Sequence, residues 1–67
     1  MTLIYHESYG EVTRKQLATY RKHNISPSDH MFLEDAFGDD RKSMVEEVLR
    51  QTRDGQMFSF LHIGRER

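Results

Sequence analysis

Apolar residues recur at helical spacing along positions 40–53 of the chain. Steps of one, three and four residues are typical of a helix that packs one face on the rest of a protein. Asp39 or Asp40 can cap its start, and Gly55 can end it because glycine readily adopts the left-handed conformation of a C-terminal cap. The stripe comprises Met44, Val45, Val48, Leu49 and Thr52, and the charged residues Glu46, Glu47, Arg50 and Arg53 fall on the other side.

Two shorter helices, over residues 14–23 and 27–37, are predicted before this one. Each follows a residue that can cap a helix, Thr13 in the first case and Ser26 in the second. Proline at position 27 also suits a first helical turn. The first helix has a narrow apolar stripe at Leu17 and Tyr20, and the second has one apolar face made of the pairs Phe32 with Ala36 and Leu33 with Phe37.

The two ends of the chain have the composition of strands. Residues 2–6 form a β-branched and aromatic run, and residues 56–63 alternate between two largely apolar faces. A lone strand leaves its backbone groups unpaired, so the two are expected to pair with each other, although the last could instead pair with a second copy. The predicted fold is one α+β, mainly helical domain over residues 1–67, with three helices and a short two-stranded ribbon from the terminal strands in the order β-α-α-α-β.

Composition and charge narrow the class of protein. The 67 residues contain no cysteine, so neither a disulfide framework nor a thiolate metal site is expected. No apolar run approaches the roughly 18–20 residues of a membrane span, and no export signal is evident, so we expect no membrane association and a cytoplasmic location. The net charge is only −1, but the charged residues are unevenly distributed along the chain. Residues 13–23 contain four lysines and arginines and no acid, and residues 29–40 contain five acids and no lysine or arginine.

Residues that could support catalysis or bind a metal are few. The chain has no nucleophile motif, phosphate-binding loop or dinucleotide glycine pattern. His30 and Glu34 stand four apart, a spacing suited to two metal ligands on one helix face, and a third ligand could come from His6 or His62. Two ligands do not complete a site. The sequence therefore predicts no enzyme, no cofactor and no metal.

The final segment indicates the main function. A strand with two largely apolar faces, in so small a domain, favours a second molecule against one of them. We therefore predict a small non-catalytic interaction or regulatory module that binds a protein partner or its own copy, the latter as a homodimer. The residues predicted to contact the partner lie on one or the other face of this strand, either Phe58 and Phe60 or Leu61 and Ile63.

An alternative function rests on a resemblance. A basic first helix ends in an apolar-Ser step, and a second helix ends in an apolar-Gly turn. The residues that form this pattern are the run Leu17-Ala18-Thr19-Tyr20-Arg21-Lys22-His23-Asn24-Ile25-Ser26, followed by Leu33 and Phe37-Gly38. Over residues 17–45 the chain thereby resembles the lambda repressor and Cro-like helix-turn-helix family. The resemblance implies a DNA-binding transcriptional regulator, with Arg41, Lys42 and Ser43 toward bases and Arg14, Lys15, Arg21 and Lys22 toward phosphates.

Charge disfavours DNA as the partner. Affinity for nucleic acid depends on cations that neutralise phosphates, whereas this chain has a net charge of −1 and places Asp39 and Asp40 beside the helix that would read the bases. A third hypothesis is that the acidic segment 29–40 mimics nucleic acid and occupies a basic site on another protein. The interaction module remains the main prediction.

Overall fold

The computed structural model describes residues 2–63 of the chain. The elements are β1 (Leu3–His6), β2 (Gly10–Thr13), α1 (Arg14–His23), α2 (Pro27–Phe37), α3 (Arg41–Gln51) and a single 3₁₀ turn (Phe60–His62). The α+β class, with three helices and a two-stranded antiparallel ribbon, is confirmed. None of the helices in this described range is long and apolar enough to cross a membrane.

The ribbon is a local hairpin and does not join the two ends of the chain. β1 and β2 are antiparallel, with Ile4 opposite Val12 and His6 opposite Gly10. Gly10 follows the connecting turn with a φ of +76°, a left-handed conformation that glycine adopts at no steric cost. The predicted pairing of the terminal strands is therefore wrong. A partner strand just after the turn closes a much shorter loop, and a short loop costs less conformational entropy to close.

Side-chain caps define where the helices begin. The Thr13 hydroxyl accepts a hydrogen bond from the Gln16 backbone N–H (3.0 Å), and the Gln16 side-chain oxygen accepts one from the Thr13 N–H (3.3 Å). α2 begins with a reciprocal box of the same kind, and the Asp40 carboxylate accepts from the Ser43 N–H at the start of α3. Each cap satisfies N–H groups that have no partner within the helix, so each helix begins directly after its cap. The three predicted helix starts are confirmed.

The ribbon and the helices enclose a hydrophobic core. Its buried apolar residues are Val12, Tyr20, Ile25, Leu33, Met44, Val45 and Val48. Five polar side chains are buried with them: Gln16, Thr19, His30, Glu47 and Gln51. A buried polar group is costly unless it is hydrogen-bonded, so these five residues restrict how the elements can fit together.

The buried face of α3 differs from the predicted stripe. Glu47 and Gln51 are buried together with Met44 and Val48, whereas Leu49 is 42% exposed. Arg50 donates two hydrogen bonds to the Glu47 carboxylate (2.6 and 3.2 Å), and the Gln51 amide donates a third (2.7 Å). The predictions of an exposed Glu47 and a buried Leu49 are therefore wrong. A carboxylate with this many donors can be buried at a helix position that would otherwise require an apolar residue.

The inward face of α2 is narrower than predicted. His30 and Leu33 are buried and Phe37 is half-buried, whereas Phe32 and Ala36 are exposed. Successive residues of a helix point about 100° apart, so Phe32 and Leu33 cannot face the same way. The prediction of a single face containing both four-apart pairs is therefore wrong for Phe32 and Ala36.

The final segment is not a strand. Over residues 56–63 the regular structure consists of the 3₁₀ turn, and the backbone is anchored through Ser59. The Ser59 N–H donates to the Gln51 side-chain oxygen (2.7 Å), and its hydroxyl accepts from the Leu61 N–H (3.2 Å). Phe58 and Ile63 pack against the core. A side chain of α3 thus provides the hydrogen bond that a neighbouring strand was expected to provide, and the predicted last strand is wrong.

Candidate interaction surfaces

An aromatic stack on the outside of the molecule joins α2 to the 3₁₀ turn. The rings of Phe32 and Phe60 are within 12° of parallel, with centroids 4.0 Å apart. The two side chains nevertheless remain 39% and 42% exposed, and their sequence neighbours Met31 and Leu61 are 64% and 62% exposed. We call these four residues, Met31, Phe32, Phe60 and Leu61, the aromatic surface.

The structure separates the four residues that were predicted to contact a partner. Phe58 and Ile63 are half-buried against the core, so they stabilise the chain's own fold. Phe60 and Leu61 are exposed and belong to the aromatic surface. Alternation along a strand would have placed Phe58 with Phe60 and Leu61 with Ile63. The irregular backbone instead leaves Phe60 and Leu61 exposed together.

Two members of the aromatic surface were not predicted as partner-binding residues. Met31 and Phe32 belong to α2, and the pattern assigned Phe32 to the core. The signal that could have identified them is the run Met31, Phe32, Leu33. Three successive large apolar residues on a helix cannot all face one core, because each is turned about 100° from the one before. At least one of them must lie outward.

A groove of about 280 Å³ lies between the start of α1 and α3. Its lining, largely apolar, is formed by Thr13, Lys15, Arg41, Lys42, Val45, Glu46 and Leu49. Three of these residues are cations and one is an acid. Within residues 2–63 none of the three cations forms a salt bridge with a carboxylate. We call this site the basic groove.

Neutral groups hold Arg41 in place at this groove. Its Nε donates to the carbonyl oxygen of Glu11 and its Nη1 to the carbonyl oxygen of Asp39, both at 3.2 Å. Because both acceptors are carbonyls, the guanidinium is oriented while its positive charge is not neutralised. Its remaining N–H groups can donate to a bound anionic group.

The other residues of the predicted DNA-binding set lie outside the basic groove. Arg14, Arg21 and Lys22 are exposed on α1. The Ser43 hydroxyl donates to the Asp40 carboxylate (2.7 Å), and its hydrogen bonds lower the pKa of the Asp40 carboxyl below the usual value. A charged Asp40 therefore occupies the positive N-terminal end of α3, which is the end that the resemblance assigns to DNA.

A chain of buried hydrogen bonds links α1 to α2. The Gln16 Nε2 donates to the Tyr20 hydroxyl oxygen (2.9 Å), which lies 2.7 Å from His30 Nδ1. Burial raises the pKa of Tyr20 to about 12. Burial also lowers the pKa of His30 below 6.5, and the nearby Glu34 carboxylate opposes this shift in part. Tyr20 is fully buried and His30 almost so, which makes the pair part of the core.

His30 and Glu34 also form the pair that was considered as two metal ligands. His30 Nε2 lies 3.5 Å from Glu34 Oε2. His6, one candidate for a third ligand, stacks on Tyr9 with ring centroids 4.9 Å apart. The side chain of His62, the other candidate, lies outside the described part of the chain. Among the residues that are described, no three histidine or carboxylate side chains are grouped to hold an ion.

No family model, curated protein or solved structure matches the chain. Its function is therefore inferred from the aromatic surface and the basic groove. The two sites share no residue and draw on different parts of the fold.

Proposed function

We propose that the chain is a small non-catalytic interaction module that acts through protein–protein contacts at the aromatic surface. The observation that carries this proposal is the stack of Phe32 on Phe60, in which two ordered rings remain substantially exposed. Clustered exposed apolar groups mark interaction sites, and aromatic residues are enriched in the centres of protein interfaces. Met31 and Leu61, which flank the two rings in sequence, are exposed as well.

The stack supports binding because its two rings are packed together in the absence of a partner. Each ring is held against the other, and the residue before Phe60, Ser59, is hydrogen-bonded to Gln51 of α3. Side chains that are already ordered lose less conformational entropy on association.

The non-catalytic part of the proposal is supported by the position of Tyr20 and His30. These groups have shifted pKa values, a property that active-site residues often share. Both are enclosed in the core, where a substrate does not reach them. The lining of the basic groove includes no histidine, and its single acid is Glu46. The shifted pKa values are therefore explained by packing.

A comparison of Leu61→Ser with Met57→Ser tests the proposal. Both variants remove an exposed apolar side chain from the final segment, but only Leu61 belongs to the aromatic surface. Sedimentation velocity up to high micromolar concentration detects binding to a second copy, and capture from nuclease-treated lysate detects a protein partner. We expect Leu61→Ser and Phe32→Ser to weaken the association, and Met57→Ser to leave it unchanged.

Two results would contradict the proposal. One is a strict monomer at high micromolar concentration that also captures no protein. The other is an association that Met57→Ser weakens as much as Leu61→Ser does, because the aromatic surface would then have no special role. Capture that is lost on nuclease treatment would point to nucleic acid instead.

A further inference from the structure

We infer that the basic groove is a second binding site, which receives an acidic segment of a partner protein that carries a large apolar side chain. The groove shares no residue with the aromatic surface, so this inference does not depend on that surface being used. The charge, the lining and the size of the groove each restrict the occupant.

The charge of the groove lining indicates which charge the bound ligand should carry. Lys15, Arg41 and Lys42 contribute three positive charges to the groove, against one negative charge from Glu46. None of the three cations forms a salt bridge with a carboxylate in the part of the chain that the structure describes, and Lys42 interacts at longer range with the Asp40 carboxylate. Complementary charge orients a partner and speeds its association. Carboxylates of aspartate or glutamate meet this requirement in a protein ligand.

Arg41 adds geometric specificity to this charge. Two carbonyl oxygens hold its guanidinium, one from β2 and one from the connection between α2 and α3. A planar guanidinium with a fixed orientation can donate two parallel hydrogen bonds to a carboxylate. The groove thus presents an ordered anion-binding group beside two flexible lysines.

The apolar part of the groove lining indicates that the ligand also carries a large apolar side chain. Leu49 is exposed although it lies on the regular part of α3, and Val45 stands one turn before it on the same side. The aliphatic stems of the lysines extend this apolar strip. A volume of about 280 Å³ falls just below the range of roughly 300–1,000 Å³ typical of small-molecule sites. It suits an inserted side chain such as leucine or phenylalanine.

The same features favour a peptide over a nucleic acid. Glu46 opposes any anionic ligand, so charge does not separate a carboxylate from a phosphate. The apolar lining does, because a phosphate backbone has no apolar group to place against Val45 and Leu49. An acidic peptide with one large apolar side chain satisfies both parts of the lining.

Selection of a random phage-displayed peptide library on the full chain tests this inference. We expect enriched peptides to combine aspartate or glutamate with leucine, isoleucine or phenylalanine. Binding of an enriched peptide should weaken about tenfold or more in Leu49→Ser and in Lys42→Glu. The matched controls Leu61→Ser and Lys22→Glu alter an exposed apolar residue and an exposed lysine outside the groove, and should leave the affinity unchanged. Thermal unfolding verifies that each variant is folded.

Several results would overturn the inference. These are a selection with no enrichment, enriched peptides without acidic residues, or equal weakening by Lys22→Glu. Displacement of the peptide by a DNA duplex at near-physiological salt would assign the groove to nucleic acid, and self-association abolished by Leu49→Ser would assign it to a second copy. Because Leu61→Ser is a control here and the test variant for the aromatic surface, the two proposals can fail separately.

Discussion

The Tyr20 hydroxyl lies at the centre of a chain of buried polar groups. The Tyr20 oxygen accepts a hydrogen bond from Gln16 and shares a second one with His30 Nδ1, in which the donor is set by the tautomer of the imidazole. The other ring nitrogen, Nε2, lies 3.5 Å from the Glu34 carboxylate. The hydroxyl thereby joins Gln16 of α1 to a histidine ten residues further along the chain than Tyr20.

Replacing this hydroxyl should destabilise the fold. In Tyr20→Phe the Gln16 amide keeps only the Met44 sulfur as an acceptor, and His30 Nδ1 loses its hydrogen-bond partner inside the core. We therefore expect the free energy of unfolding to fall by about 1–3 kcal/mol. Urea denaturation followed by circular dichroism measures this change. Tyr5→Phe is the matched control: Tyr5 is 77% exposed, so its loss should change stability by less than about 0.5 kcal/mol. Equal effects of the two variants would contradict the assigned role of Tyr20.

Stability should also depend on the protonation of His30. The folded state lowers the pKa of His30, so the unfolded chain binds the proton more readily. Its contribution to stability is therefore complete above the unfolded pKa of 6.5 and is lost as the pH falls below that value. Urea denaturation at pH 7.5 and at lower pH should show a smaller free energy of unfolding at the lower pH. The variant His30→Gln should reduce this dependence of the free energy of unfolding on pH. The groups facing the imidazole are Tyr9, Tyr20, Glu34 and Arg41. An unchanged pH dependence in His30→Gln would assign it to other groups.

At the scale of secondary-structure elements, the sequence predicted the three helices because their starts are specified locally. Thr13, Ser26 and Asp40 each bond an N–H three residues further on, and such caps are visible in the sequence. β2 was missed because Gly10 reads as the end of a strand and Thr13 as the cap of a helix, which leaves only two residues between them. The final segment was misassigned because alternating apolar residues also occur in an irregular segment whose side chains pack on a core.

The final segment makes a distinct prediction for Phe58 and Phe60. A strand would place the two rings on one face, whereas the structure packs Phe58 on the core and leaves Phe60 in the exposed stack. We expect Phe58→Ala to lower the free energy of unfolding by about 2 kcal/mol or more, since it opens a gap over the core. Phe60→Ala should cost only about 0.5–1.5 kcal/mol, the contribution of an aromatic pair. Thermal and urea unfolding measure both, and equal losses would favour the strand.

At the scale of the whole molecule, the candidate sites depend on how separate elements come together. Lys15, Arg41 and Lys42 were in the predicted DNA-binding set, but nothing local shows that the starts of α1 and α3 meet around one groove. Leu49 was assigned to the core because the sequence did not show that Glu47 and Gln51 take up that face of the helix. Residue types were therefore predictable, while the surfaces they form were not.

The distribution of charge over the molecule also bears on the helix-turn-helix hypothesis. The net charge is −1, Asp40 caps α3, and Ser43 is bonded to Asp40, so we expect no retention of duplex DNA at near-physiological salt. A gel-shift assay with random and genomic duplexes measures this. Retention that weakens steeply with salt, and that is lost when Arg41 and Lys42 are changed to Ala, would support the DNA-binding alternative.

The hydrogen bond from the Ser59 N–H to the Gln51 side chain limits how such a chain can evolve. Gln51 is buried and belongs to α3, yet it fixes the backbone one residue before Phe60. A mutation at position 51 would therefore shift an exposed ring that it does not touch. The position of the exposed ring is thus constrained by a side chain that is hidden from the surface.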